Sequence, residues 1–280
     1  MGRLWRAAVI GAFAVVAPGT LATAADMPEP PVYTPPPVQV GGGWYLRGHI
    51  GMSNQRFGGL DHASFDSPVF FEWLDEGEFD AGMIFGGGVG YKFNDWFRTD
   101  LTAEYRGKTQ FHALDRYDED DDPPDFDDGE TDGWGTNDYR AKKSEWLFLA
   151  NAYWDMGTWY GVTPYVGGGI GASYNTISNF RDVNVIQGGG GYAGTGHEWN
   201  LAWALHAGMS FQATQNLAID VGYSFVSLGD GQTGTFFNDD GTCVSCTSMK
   251  FEDIISHDVK VGFRWSFDQP DYYEPAVVKY

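Results

Sequence analysis

The chain has 280 residues, with 38 acidic against 17 basic side chains and a formal net charge of -21. That balance excludes a nucleic-acid binder, which needs a basic stripe to neutralise phosphates. Aromatic residues make up 16% of the sequence and glycine occurs 39 times, a pairing that favours many short strands over a helical bundle.

Arg3 and Arg6 precede an apolar stretch from Ala7 to Ala17, and Ala22-Thr23-Ala24 follows it. A basic start, a short apolar run and a small-x-small site predict a secretory signal peptide over 1–24. Later segments never reach the roughly 18 consecutive apolar residues of a membrane helix, so an exported chain that crosses a membrane must do so as strands. Residues 25–42 carry Pro28, Pro30, Pro31, Pro35, Pro36 and Pro37. Prolines at this density cannot donate to a sheet ladder, which predicts an extended linker.

From 43 to 267, apolar and small or polar residues alternate with the period of strands. The segments are 44–56, 79–93, 96–111, 143–156, 163–176, 199–213, 217–228 and 252–267. In the third, Phe97, Leu101, Ala103 and Tyr105 oppose Arg98, Asp100, Thr102, Glu104 and Arg106. In the sixth, Leu201, Trp203, Leu205, Met209 and Phe211 oppose Asn200, His206, Gly208 and Ser210. The last alternates throughout, from Ile255 and His257 to Trp265 and Phe267. Short connections at Asn94-Asp95, 157–162 and Thr214-Gln215-Asn216 have turn-forming composition. They alternate with long ones at 57–78, 112–142, 177–198 and 229–251, so every long loop falls at one end of a meander.

Side-chain size decides which face is outside. The apolar faces carry Trp, Phe, Tyr, Leu, Ile and Val on strand after strand, more than the narrow interior of an eight-stranded barrel can hold. The opposite faces carry Gly86, Gly88, Gly90, Gly208, Gly222, Gly262, Ser210 and Ser224 with a few charges. The bulky face is therefore expected to look outward, which only lipid tolerates. Tyr91, Phe93, Trp96, Trp154, Trp159, Tyr160, Tyr165, Phe211, Trp265 and Phe267 near the short turns predict one interfacial girdle. Phe57, Phe79, Phe111, Trp146 and Trp199 at the long-loop end predict another. The expected fold is all-β: an eight-stranded antiparallel up-and-down transmembrane β-barrel.

These residues resemble the small outer-membrane β-barrel proteins of Gram-negative bacteria, eight-stranded and OmpA-like, in the surface-antigen or porin-family branch. The resemblance covers 43–267. It rests on Ala24-Ala25-Asp26, on Phe85-Gly86-Gly87-Gly88-Val89-Gly90-Tyr91, and on the closing strand Lys260-Val261-Gly262-Phe263-Arg264-Trp265-Ser266-Phe267. It implies that Gly262, Trp265 and Phe267 form the signal read by the barrel assembly machinery. In the family the last aromatic usually ends the chain; here 268–280 follow, with Pro270 and Pro275, and read as a short periplasmic tail. The linker over 25–42 is then periplasmic as well.

Within a barrel, Arg47, Arg98, Asp100, Glu104, Arg106, Asp220, Asp258, Lys260 and Arg264 fall on the inner face. Buried charges survive when partnered, so mutual pairing is expected, with a narrow ion path as the alternative. Arg56, Lys108, Arg140, Lys142, Lys143 and Lys250 fall at the long-loop ends of strands, where cations would meet lipopolysaccharide phosphates. Cys243 and Cys246 predict a loop disulfide in an exported chain. The run Asp118-Glu119-Asp120-Asp121-Asp122, with Asp125, Asp127, Asp128 and Glu130, reads as a solvated acidic loop, with divalent cation binding as the alternative. No cofactor, metal centre or HExxH motif is indicated. His62-Ala63-Ser64 could seed a hydrolase but lacks an evident carboxylate orienter. The expectation is a monomeric, non-enzymatic outer-membrane protein that contributes to envelope integrity and presents acidic loops in adhesion or as a surface antigen. Rival readings are a narrow porin-like channel, a lipid-modifying barrel enzyme and a soluble lipocalin-like ligand binder.

Overall fold

The computed structural model describes residues 43–62, 65, 70–118, 134–186, 188–243 and 246–267. The expected signal peptide, linker and C-terminal tail lie outside the described residues, as do Ala63, Ser64 and the acidic run beyond Asp118.

The strands are β1 (Gly43–Arg56), β2 (Gly59–Asp61), β3 (Phe70–Phe79), β4 (Gly82–Lys92), β5 (Phe97–Asp118), β6 (Trp134–Asp155), β7 (Val162–Asn184), β8 (Gly190–Ala193), β9 (Gly196–Gln212), β10 (Leu217–Asn238) and β11 (Ser248–Ser266). Eight of them, β1, β4, β5, β6, β7, β9, β10 and β11, pair in that order around a closed antiparallel ring. β11 returns to β1 with Tyr45 opposite Ser266 and Met52 opposite Val259. Closure satisfies every edge, the condition for strands to span lipid. The short turns are made by side chains of the expected kind. Asn94 Oδ1 accepts from the backbone N–H of Trp96 (3.0 Å) and Phe97 (2.8 Å). Thr214 Oγ1 accepts likewise from Asn216 (3.3 Å) and Leu217 (3.1 Å).

The bulky face points out. Leu101 is 62% exposed, Leu201 72% and Trp203 42%, whereas Arg98 and Arg106 are each 1% exposed. Inner-face glycines make room for large partners: a Cβ at Gly90 would stand 2.2 Å from Tyr45 Cζ.

Two expectations need correction. First, β5, β6, β7 and β10 run for 22 or 23 residues, about twice what a bilayer needs. Much of 112–142, 177–198 and 229–251, expected as loops, continues the ladder as an extension beyond the membrane, joined by β2, β3 and β8. Bulges hide this in the sequence. The β5–β6 register shifts between Arg106 and Thr109, so inward positions pass from even numbers (Glu104, Arg106) to odd ones (Thr109, Phe111, Ala113), all buried except at the bulge itself. Second, Phe57, Phe79 and Phe111 do not form the outer girdle. Phe79 and Phe111 are 3% and 1% exposed inside the extension, and Phe57 packs on them at ring distances of 5.7 and 5.3 Å. The outer girdle is Tyr105 against Trp146 (5.1 Å) and Tyr174 against Trp199 (4.8 Å). Tyr165, expected in the turn-side girdle, is 7% exposed and faces inward.

Candidate functional site

Two kinds of filling occupy the inside of this molecule. In the membrane-spanning half, alternating inward positions deliver ionic side chains from most of the ring. Arg47 lies 2.8 Å from Asp100, Arg98 lies 3.1 Å from Asp155, and Arg264 lies 3.0 Å from Asp220. Arg106 reaches Asp258 at 2.6 Å, Glu104 at 3.3 Å and Glu145 at 3.5 Å. Lys260 closes the group at 2.7 Å from Glu104 and 3.4 Å from Asp258. The Arg98 guanidinium also sits 4.0 Å over the Tyr153 ring and 4.9 Å over that of Tyr165. All nine inner-face charges named from the sequence are brought together here.

The network has further members that sequence reasoning missed. His49 Nε2 is 2.9 Å from Glu104, and Asn151 donates to Asp100 at 2.8 Å. Glu145, Asn151, Tyr153 and Asp155 share the inner face of β6 with Leu147 and Leu149; the parity of those leucines was the available signal. Lys143 needs correction. Placed at the outer rim from its sequence position, it is 1% exposed, donates to Gln55 Oε1 at 2.8 Å and pairs with Glu145. Lys143 keeps the unbroken odd parity of β6 that it shares with Glu145, Leu147 and Leu149, which leaves it on the inner face, so it cannot serve the rim.

Beyond the network, the extension holds an apolar plug. Phe79, Phe111, Phe180, Phe236, Phe251 and Ile254 are buried there, and Phe57, Leu60, Phe65 and Trp73 from the 57–79 segment pack against them. His62 belongs to this plug, buried and edge-on to Phe236 at 5.3 Å, so its imidazole is not presented on the lipid face. The cavity bounded by Arg47, His49, Glu104, His206 and Lys260 measures ≈ 20 Å³, room for about one water. Around that cavity the described residues of the lumen form a packed core.

Five of the six cations expected at the rim lie on the outer surface. Arg56, Lys108, Arg140, Lys142 and Lys250 are all exposed. Arg140 pairs with Asp138 at 2.7 Å; the other four have no ion pair among the described residues. Cys243 and Cys246 are joined by a disulfide in the β10–β11 connection. Among the described residues, no group of three or more His, Cys, Asp or Glu could hold a metal ion.

At the mouth of the plug, Tyr139 donates to Asp115 at 2.7 Å, and Asp182 stands opposite Tyr139 across the ladder. Burial, then the carboxylates of Asp115, Asp239 and Asp138, push Asp182 up from 3.8 to about 7. The folded chain therefore keeps a proton that the unfolded chain releases between pH 3.8 and about 7. The stability that neutral Asp182 contributes is complete below that window and is lost as pH rises through it. Protease resistance of the extension is accordingly expected to fall between about pH 4 and about pH 7, and Asp182→Asn should flatten that slope. An equally steep slope in the variant would assign it elsewhere.

A family model for the outer membrane protein beta-barrel domain matches residues 12–267. An uncharacterized protein of Brucella abortus is 30% identical over 275 residues, covering 88% of this chain and 93% of its own length. Outer membrane protein PagN of Salmonella typhimurium is 29% identical over 161 residues, 52% of this chain and 58% of that one. Among solved structures, outer membrane protein OprG from Pseudomonas aeruginosa aligns with a TM-score of 0.42 at 13% identity, over 80% of this chain and 96% of its own. Neisserial surface protein A aligns with a TM-score of 0.38 at 17% identity, over 81% and 99%.

Proposed function

Since the chain belongs to the outer-membrane β-barrel family and resides in the bacterial outer membrane, we propose that it is a non-catalytic structural barrel. Its work is to support the envelope and to present its β-extension to the outside, as a surface antigen or adhesin. The observation that carries this reading is the doubly filled lumen. An ionic core below and an aromatic plug above leave the outer surface as the place where the molecule can act. The exposed Arg56, Lys108, Arg140, Lys142 and Lys250 then anchor it among lipopolysaccharide phosphates. Trp265 and Phe267, 47% and 55% exposed on the closing strand, together with Gly262, serve recognition by the barrel assembly machinery. The barrel works as a monomer.

The test is electrical. Purified barrel inserted into planar bilayers should give no discrete conductance steps. Reproducible single-channel steps that scale with salt would replace the structural reading with a channel.

A further inference from the structure

Beyond the outer girdle, register irregularities lie side by side on neighbouring strands: at Arg106/Thr109 between β5 and β6, and at Arg140/Lys142 between β6 and β7. Bulges bend a sheet locally. Here the outward faces of β3, β5, β6, β7 and β8 line a trough of ≈ 970 Å³. Lys142 and Arg140 lie four and six residues outward of Trp146 along β6. With the rise and tilt of barrel strands, that places the trough roughly 10–15 Å beyond the girdle, the level of the sugars of an outer-leaflet glycolipid.

Its two sides carry opposite charge. Asp75, Glu78 and Asp80 line the β3 side and Arg140, Lys142 and Arg181 the β6–β7 side, with His112 of β5 between them, 3.7 Å from Asp75 and 3.3 Å from Asp138. Tyr192, 41% exposed, flanks the basic side with the Arg181 guanidinium 5.9 Å from its ring centroid. Arg181 holds an exposed partner, Asp239, and such a pair is weak enough to exchange for a ligand oxygen; Arg140 is held through Nε and Nη2 by the half-buried Asp138. Lys142 has no ion pair among the described residues. Strands spaced about 4.8 Å apart put the β3 and β6 backbones about 10 Å apart, and the long basic side chains narrow that gap to the span of one hexose. A plain anion would leave Glu78 and Asp80, and a plain cation Lys142, without an ion pair. A ligand bearing both charges satisfies both.

We propose that this trough binds a phosphorylated aminosugar, its phosphate toward Arg140, Lys142 and Arg181, its amine toward Asp75, Glu78 and Asp80, and one sugar face on Tyr192. The proposal rests on the reading that the extension faces the outside.

The probe is glucosamine 6-phosphate, titrated onto purified barrel in phosphatidylcholine nanodiscs and followed by NMR. It should bind saturably, with glucose 6-phosphate and glucosamine each about tenfold weaker, as loss of one charge-assisted contact implies. Lys142→Glu should weaken the probe by about tenfold or more. Asp75→Asn with Glu78→Gln should make glucosamine 6-phosphate and glucose 6-phosphate bind alike. These side chains are exposed, and unchanged heat-modifiable gel mobility confirms that the variants fold. Equal binding of all three sugars, or an unaffected Lys142→Glu variant, overturns the site. Repeating the titration in nanodiscs that contain lipopolysaccharide separates the sources: a lowered apparent affinity assigns the ligand to the membrane glycolipid, and an unchanged one to a free glycan. Labelling of the exposed Lys108, Lys142 and Lys250 by a membrane-impermeant amine reagent on intact cells reads orientation separately. Labelling without sugar binding sinks this site alone, whereas no labelling sinks the outward placement on which both readings rest.

Discussion

Arg106→Ala is expected to destabilise the barrel by about 3–5 kcal/mol, the cost of breaking a buried ion pair from one side. Arg106 is 1% exposed and is the most connected cation of the inner network. Its Nη1 donates to Asp258 at 2.8 Å and to Ser256 at 3.0 Å, and its Nη2 donates to Asp258 at 2.6 Å and Glu104 at 3.3 Å. Alanine would leave the carboxylates of Asp258, Glu104 and Glu145 sharing only Lys260, His49 and Lys143 in a space that admits almost no water. The measurement is the urea midpoint of the barrel in phosphatidylcholine vesicles. Adding Asp258→Asn should recover part of the loss, because it removes the carboxylate that suffers most. A single-variant loss below about 1 kcal/mol, the range of solvated pairs, would mean that the inner face is wet and the packed-core account is wrong.

Phe251→Ala should cost a similar amount, about 3–5 kcal/mol for a large aromatic removed from a tight core, but in a different place. Phe251 is fully buried and meets Phe111 at 4.9 Å, Phe79 at 5.8 Å, Phe57 at 5.9 Å and Phe180 at 6.5 Å between ring centroids. These partners come from β5, β3, the segment after β1, and β7, so one ring ties most of the extension together. The membrane-spanning half holds its ladder within lipid and does not depend on this contact. Loss of the ring should therefore open the extension locally. Amide exchange should accelerate at 112–118, 134–142 and 177–184 while 97–105 and 145–155 stay protected. Acceleration spread evenly over both halves would show a single cooperative unit and no separable plug.

The interior and the outer face were legible from sequence to different degrees. The inner-face charges Arg98 to Arg106 stood out because strict alternation on β5 places them opposite Leu101 and Tyr105. Lys143 did not, since its position at the start of an expected strand looked solvent-exposed; β6 begins nine residues earlier, at Trp134, and its odd parity sets Lys143 against Gln55 and Glu145. The trough had no linear signature at all. Glu78 and Arg140 lie far apart in the chain and flank His112 in one cross-strand row only because β3 pairs with β5, and β5 with β6.

What the chain determined on its own was everything local: eight alternating strands, side-chain-made turns at Asn94 and Thr214, and a bulky face that only lipid accepts. These follow from period-two geometry and residue size, which act within a few residues. The tertiary structure alone decided how far the ladder runs past the membrane, which aromatics turn inward to plug it, and which charges meet. Arg106 finds Asp258 across 152 positions, a pairing set by ring closure, while bulges change the phase of alternation farther out, as past Arg106 on β5. Both are properties of how neighbouring strands align, and no single strand encodes them.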